Sequence, residues 1–452
     1  MLAAMFMALL DVFIVNVAAP TIGSDFDASG AQLQLVVAGY AVTYSVLLIT
    51  GARLGDRLGH GRVHLAGLAL FTGASLACGL APGVGWLIAF RLLQGAGSAV
   101  MIPQVLSLIQ RTFTGEARVR ALGVYSAVLA VGAAAGQVVG GVLVSADLFG
   151  TGWRPVFLVN VPVGLFLLVV GRRVLPRGGG AESARGLDRA GQLLLGAAVS
   201  LVTVPLVLGQ EKGWPVWAWL SMAVGGAVFA LFCVHESRLA RRGGSPLIAP
   251  RVLRLPGTAL AVVRISVVMA VNAAFLFVLT LHLQAGLGYG ALRAGLTFAP
   301  TAVVFGVVGL TWRRWPAALQ RALVPGGFVL VALSLAGVGL ALRDGGDGGV
   351  AVYAAFMGVG GGLAAVYGPT LTRALAAVRP EDAADASGLL ATVTQLGQLI
   401  GVAGFGTLFL NRLESLGGPR SYSSAEALLA CVYVLAAAAV AGAVSGLVLR
   451  RR

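Results

Sequence analysis

The chain has 452 residues, is 58% hydrophobic and only 11% charged, and carries a net charge of +15. A soluble globular protein holds about 25% charged residues, so this chain has too few to clothe a water-facing surface; its mean hydropathy is +0.91. Nucleic-acid binding is excluded as well, because the basic residues fall in short loops between apolar runs instead of gathering on a soluble domain.

A helix needs about 20 apolar residues to cross roughly 30 Å of hydrocarbon. Fourteen such segments are predicted, at 2–22, 32–52, 63–82, 85–110, 119–145, 155–171, 190–210, 214–235, 257–284, 290–311, 317–341, 349–372, 384–410 and 426–449. The first continues past residue 20 with no charged region before it, so it reads as a span and not as a cleavable signal peptide. With the N-terminus inside, 24 of the 32 basic residues fall in inner loops or the C-terminal tail. The outer loops hold only Arg154, Lys212, Arg343, Arg412 and Arg420, with Arg293 near a span start. The positive-inside rule demands this asymmetry, and an odd number of spans would scramble it. The expected fold is an all-α, multi-pass integral membrane protein with 14 transmembrane helices and both termini cytoplasmic.

Two polar, arginine-rich linkers, 172–189 and 236–256, bracket spans seven and eight. They divide the chain into an N-terminal six-helix bundle (1–171), an inserted helix pair (190–235) and a C-terminal six-helix bundle (257–452). Two six-span halves are the pattern of a transporter built from repeats. Cys78, Cys233 and Cys431 all lie within apolar segments without metal-ligand spacing. No metal or cofactor is expected, and neither a Walker loop nor a nucleophile elbow is present to support an enzyme or an ATP-driven pump.

In the first span, within "MALLDVFIVNVAAP", stands Asp11. Of the 17 Asp and Glu residues it alone lies near a span centre. Insertion of such a residue costs about 2.5–3.5 kcal/mol. Two readings are open: a neutral, hydrogen-bonded structural carboxyl, or a proton-coupling group whose pKa is raised by desolvation. Arg91, in span four, is the natural partner. At a rise of 1.5 Å per residue the two sit roughly 6 Å apart in depth, within reach of an arginine if their helices adjoin. Arg264, near the inner end of span nine, is expected to snorkel.

Several motifs resemble the major facilitator superfamily, and within it the fourteen-span drug:proton antiporters. "LDVFIVNVAAP" (10–20) resembles that group's first-span motif through Asp11, Asn16 and Pro20, with Phe13 and Ala19 departing from it. "ARLGDRLGHGR" (52–62) resembles the superfamily's signature loop between spans two and three. Leu54, Gly55, Asp56, Arg57, Gly59 and Arg62 are its candidate gate residues, while Ala52, His60 and Gly61 depart from the pattern. The resemblance implies that this loop locks the cytoplasmic gate through contacts to the other half. "RLLQGAG" (91–97) is similar to the fourth-span motif, whose arginine is implicated in proton transfer. "AVGAAAGQVVGGVL" (130–143) resembles the fifth-span antiporter motif in Gly132, Gly136, Gly140 and Gly141, with Gln137 where proline is usual. Glycines at i, i+4 and i+8 let another backbone approach closely.

Polar residues inside spans should face the bundle interior. Asn16, Tyr40, Gln94, Gln104, Gln137, Asn160, Asn272, His282, Gln284, Gln395 and Gln398 are the candidates. Each is a helix-to-helix hydrogen bond or a substrate contact, and as a set they predict a weakly polar cavity fit for amphipathic solutes. The expected function is proton-coupled export of amphipathic drugs or antibiotics by alternating access, from a bacterial plasma membrane, by a protein that the resemblance implies is a monomer. A proton symporter importing a small solute and a non-transporting receptor or scaffold remain the alternatives.

Overall fold

The computed structural model describes residues 1–147, 150–175, 188–209, 213–244, 246–247, 257–376, 378, 383–416 and 419–448. Most of the first expected linker and about half of the second therefore lie outside the described residues, as does the C-terminal basic tail.

The described chain is helical, with no strand. The helices α1 (Leu2–Phe26), α2 (Gly30–Leu58), α3 (His60–Gly79), α4 (Val84–Thr112), α5 (Gly115–Ala146), α6 (Pro155–Leu158) and α7 (Asn160–Val174) come first. Two more, α8 (Arg189–Leu208) and α9 (Val216–Arg241), occupy the expected insertion. α10 (Thr258–Leu281) runs on into a π-turn at His282–Gly286, followed by α11 (Ala291–Thr297) and α12 (Ala299–Thr311). α13 (Ala317–Leu342), α14 (Gly349–Ala376), α15 (Ala383–Ser415) and α16 (Arg420–Val448) complete the order.

Among the described residues, ten helices or continuous helix pairs are long and apolar enough to cross a membrane, or eleven if the two limbs of α2, bent by 50°, count as one span. α3 falls short of that test because it opens on His60, Arg62 and His64. α8 contributes a shorter apolar stretch, Arg189–Val202.

Local chemistry sets the helix ends. Ser29 caps α2 by accepting from the Gln32 amide while the Gln32 side chain accepts from the Ser29 amide, a reciprocal box that satisfies two free donors. The tight break between α2 and α3 is a single residue, Gly59, whose φ of +91° is a backbone conformation that glycine adopts readily and other residues rarely do.

The apolar residues sort into a few cores. The largest is built on α10, α13, α14, α15 and α16, with Phe13 of α1 reaching into it. Two smaller ones lie among α1 to α7. A fourth joins α8 and α9 through Leu195, Val199 and Phe232, and Val46 of α2 and Leu396 of α15 pack against it. The outward faces remain apolar: Leu165, Phe166 and Val169 on α7, Trp219 and Leu220 on α9, and Leu333 on α13 are exposed. Exposure of this kind along many helices matches a hydrocarbon solvent, since a water-facing surface holds no contiguous apolar belt of that size.

Candidate functional site

Asp11 is fully buried, at 0% exposure, where α1 meets α2, α4 and α7. Three side chains donate to its carboxylate. The Arg91 Nη1 reaches Oδ2 at 2.5 Å, and the Gln94 and Asn160 amides each reach Oδ1 at 2.8 Å. Arg91 is itself 1% exposed. Its Nε donates to the Val36 carbonyl on α2 at 3.0 Å, and its Nη1 also lies 2.6 Å from the Gln94 Oε1. The guanidinium stands over the Tyr40 ring at 4.7 Å and near the Phe157 ring at 5.7 Å. Such faces attract a cation through the ring quadrupole.

The network continues into α3, where the Gln94 amide donates to Ser75 Oγ at 2.6 Å. Tyr40 donates to Ser98 Oγ at 2.7 Å, which fixes its ring against the arginine. A buried carboxylate and a buried guanidinium are each prohibitive alone. Paired with each other and bonded to the Val36 carbonyl, Gln94 and Asn160, they are tolerated in a low dielectric. Five helices therefore converge on one charge pair.

The approach of the helices explains how the pair is reached. Gly95, on α4, lies so close to the Tyr40 carbonyl of α2 that a Cβ there would overlap it. On α5, a Cβ at Gly132 would lie 2.9 Å from Leu9 Cβ, one at Gly136 2.7 Å from Phe13 Cβ, and one at Gly140 2.9 Å from Ile14 Cγ1. The glycine stripe is thus the surface on which α1 lies, and it brackets Asp11. Gly141 is buried beside it, and the side chain of Gln137 is outside the described residues.

The signature loop forms a second cluster. Asp56 accepts from Arg111 at 3.3 Å and lies 3.3 Å from the His60 Nε2. His60 Nδ1 is 2.7 Å from the Gln104 Oε1, while the Gln104 amide donates to the Gly51 carbonyl at 2.6 Å. Gly55 faces this Gln104–His60 pair so closely that any side chain would collide with it. His60, which departs from the expected basic position, is therefore a buried packing element. Leu54 is half-buried, and Arg57 and Arg62 are exposed. Among the described residues, the partners of Asp56 lie on α3 and α4, and no contact of the loop to α10–α16 is made by Asp56 itself.

Not all the expected polar residues gather. Asp11, Arg91, Gln94, Asn160 and Tyr40 come together, whereas Gln104 belongs to the loop cluster. Asn16 is half-buried one turn and more beyond Asp11, with its Oδ1 unbonded. Asn272, Gln284 and Gln395 are half-buried on α10, its π-turn and α15, and Gln398 lies 3.9 Å from the Met269 sulfur. His282 is fully buried against Ser424. Sequence reasoning missed Ser75, Ser98 and the Val36 carbonyl. A serine in an apolar helix carries no mark of its partner, and a backbone carbonyl carries none at all.

Asp188, His235 and Glu236 are the one described cluster with metal-ligating side chains close enough together, within 4.8 Å. They already serve the fold: Asp188 caps α8 through the Gly191 amide at 2.9 Å, and His235 Nε2 lies 3.0 Å from both its oxygens. This ties α9 to the start of α8.

A helical membrane protein with a desolvated Asp–Arg pair at the meeting point of five helices belongs to the class of polytopic carriers. The chain belongs to the Major Facilitator Superfamily, whose family model matches residues 1–402. This is a family of transporters, not of enzymes. The chain is 40% identical over 425 residues to a probable actinorhodin transporter of Streptomyces coelicolor, covering 92% of this chain and 72% of that protein. It is 38% identical over 406 residues to a cephamycin export protein of Amycolatopsis lactamdurans, covering 88% and 81%. Its fold is similar to the inward-facing crystal structure of a bacterial homologue of the human lysosomal transporter Spinster, with a TM-score of 0.66, 18% identity, and cover of 100% of this chain and 96% of that one. That likeness speaks to fold alone.

Proposed function

We propose that this transporter exports an amphipathic antibiotic or drug in exchange for protons, by alternating access. The observation that carries the proton half is the Asp11–Arg91 pair: an ionisable residue deep in a span is a functional site by default. The export half is supported by relatives whose names concern antibiotic transport and export.

In the proposed cycle Asp11 alternates between two states. As a carboxylate it holds Arg91, Gln94 and Asn160, and so holds α1 against α4 and α7. A proton arriving from outside neutralises Asp11, and the ion pair loses its Coulomb term. Arg91 keeps its bonds to the Val36 carbonyl and Gln94, so the guanidinium is not orphaned while α1 is released. The halves then rock, and substrate leaves as the proton proceeds inward. A proton moving down the membrane potential contributes about 2.3 kcal/mol per 100 mV.

The proposed frame is the fourteen-span one: two six-helix halves (α1–α7 and α10–α16) with α8–α9 inserted, both termini cytoplasmic, in a bacterial inner membrane, working as a monomer. The loop around Asp56 is the proposed cytoplasmic latch. Asn16, Asn272, Gln284 and Gln395 are the proposed cavity groups that remain outside the Asp11 network. The direction is tested by expressing the chain in a drug-sensitive bacterium and measuring retained antibiotic. Lower retention, restored to control level by a protonophore, is expected. Higher retention would favour import on the same fold and contradict the proposal.

A further inference from the structure

Outside the Asp11 network, one buried titratable side chain has one end committed and the other free. α10 widens at its end into the π-turn His282–Gly286, where the Leu287 amide donates to the His282 carbonyl at 2.9 Å. Turns of this kind insert a residue into a helix and are frequent at functional sites. His282 is 0% exposed, and its Nδ1 lies 2.9 Å from the Ser424 hydroxyl at the start of α16. Ser424 also donates to the Ser421 carbonyl at 3.0 Å.

A hydroxyl has one proton and a carbonyl only accepts. Both bonds form together only if Ser424 donates to Ser421 and the Nδ1–H of His282 donates to Ser424. The neutral ring is then protonated at Nδ1, and Nε2 carries a bare lone pair. That Nε2 is buried and has no hydrogen-bond partner in the described protein. The Ser423 hydroxyl, next to Ser424, and the Gln284 amide on the same turn are also unpartnered.

The turn packs against α10, α11 and α16. The charged groups those elements carry near this end are Arg293 on α11 and Arg420 and Glu426 on α16. Arg293 stacks 3.8 Å over the Tyr289 ring and pairs with Asp347 at 3.9 Å. None of the three bonds to the imidazole among the described contacts. A buried imidazolium with no counter-charge is strongly disfavoured, so the packed ring is neutral. It can gain a proton only when α16 and the turn part and water reaches Nε2.

We propose that Nε2 of His282 is a second proton-binding atom of the transport cycle, at the outer end of the C-terminal half. A proton passes from water to the Nε2 lone pair when this end opens, giving an imidazolium protonated at both nitrogens. Closure of α16 on the ring returns it, and no bond other than N–H changes. The proposal rests on the proton-coupled reading above and adds to it a site in the half that lacks Asp11.

The test is 15N-histidine NMR of the full chain in lipid nanodiscs, with proton-driven export measured in vesicles alongside. The chain has only four histidines, so the signals lost in His282→Asn identify this ring. The expected result is an Nδ1-protonated ring whose Nε2 takes up a proton as the pH is lowered from about 8 to about 4. His282→Asn is expected to lower proton-driven export about tenfold. An Nε2-protonated tautomer, an Nε2 that stays bare across that range, or wild-type export by His282→Asn would overturn the proposal. Absence of any proton-linked transport in the wild type would overturn the coupled reading along with it; an untitrating Nε2 in a transporting wild type overturns this proposal alone.

Discussion

Arg91 is a residue with four commitments: Asp11, Gln94, the Val36 carbonyl and the Tyr40 ring. Lysine could not replace it, because a point charge on a flexible stem has no planar fork to serve a carboxylate and a carbonyl together. Arg91→Lys is therefore expected to abolish proton-driven transport even though the charge is kept; substantial residual coupling would show that charge alone matters. The pair also allows stability and coupling to be separated. Removing one partner of a buried ion pair costs about 3–5 kcal/mol, because the other is left uncompensated. Arg91→Gln alone should melt at a clearly lower temperature in detergent, and Asp11→Asn with Arg91→Gln should recover most of that loss while remaining uncoupled. A double variant no more stable than the single one would mean that the two charges do not compensate each other. Sequence reasoning found Asp11 because a carboxylate in hydrocarbon is conspicuous, and found Arg91 by depth. It placed Gln94 in the fourth-span motif and Asn160 among general polar candidates, since the residue type does not say that both amides are turned on the same carboxylate oxygen.

At the scale of elements, α5 is fitted to α1 by absence of side chains. Gly136 faces Phe13 and the Leu10 carbonyl, two residues that flank Asp11. A side chain there must push α1 away, and overpacking a tight contact costs about 1–3 kcal/mol. Gly136→Val is expected to lower both thermal stability and transport, whereas Gly123→Ala, on the same helix with nothing within 4 Å, should leave both near wild type. Equal behaviour of the two variants would remove the close-approach account. The i, i+4, i+8 stripe was readable in the sequence; its partner helix was not, because glycine spacing carries no address. The proposed inserted pair gives a second element-scale expectation. α8 and α9 share an apolar cluster with Val46 of α2 and Leu396 of α15, and Arg53 of α2 donates to the Pro246 carbonyl just beyond α9. If the pair rides on the N-terminal half, a cross-link between cysteines at Val46 and Leu194 should be tolerated. One between Leu194 and Leu396 should block transport until it is cleaved. The reverse pattern would assign the pair to the other half.

For the whole molecule, composition alone carried the fold class: a chain with 11% charged residues has no means of covering itself in water. The expected fourteen spans came from hydropathy joined to arginine placement. The described helices meet the length and apolarity test in ten to eleven cases. The difference sits in helices such as α3, whose histidines and arginine at one end lower its hydropathy while its other face is buried between neighbours. Sixteen of the 24 inner basic residues that argue for orientation lie among the described residues, and labelling measures the orientation they imply. Cysteines placed singly at Arg62 and Arg154 should be labelled by a membrane-impermeant maleimide from opposite sides of right-side-out vesicles. Labelling of both from one side would overturn the topology.

The central claim is that Asp11 links proton movement to substrate movement, and one experiment addresses it most directly. Inverted vesicles containing the wild type or Asp11→Asn are loaded to an acid interior, and a pH dye reports proton efflux as amphipathic antibiotics are added. Substrate-dependent efflux by the wild type, absent from Asp11→Asn while that variant still exchanges labelled substrate, is the predicted result. Equal proton efflux from both proteins would contradict the account, and would move the coupling site away from the Asp11–Arg91 pair.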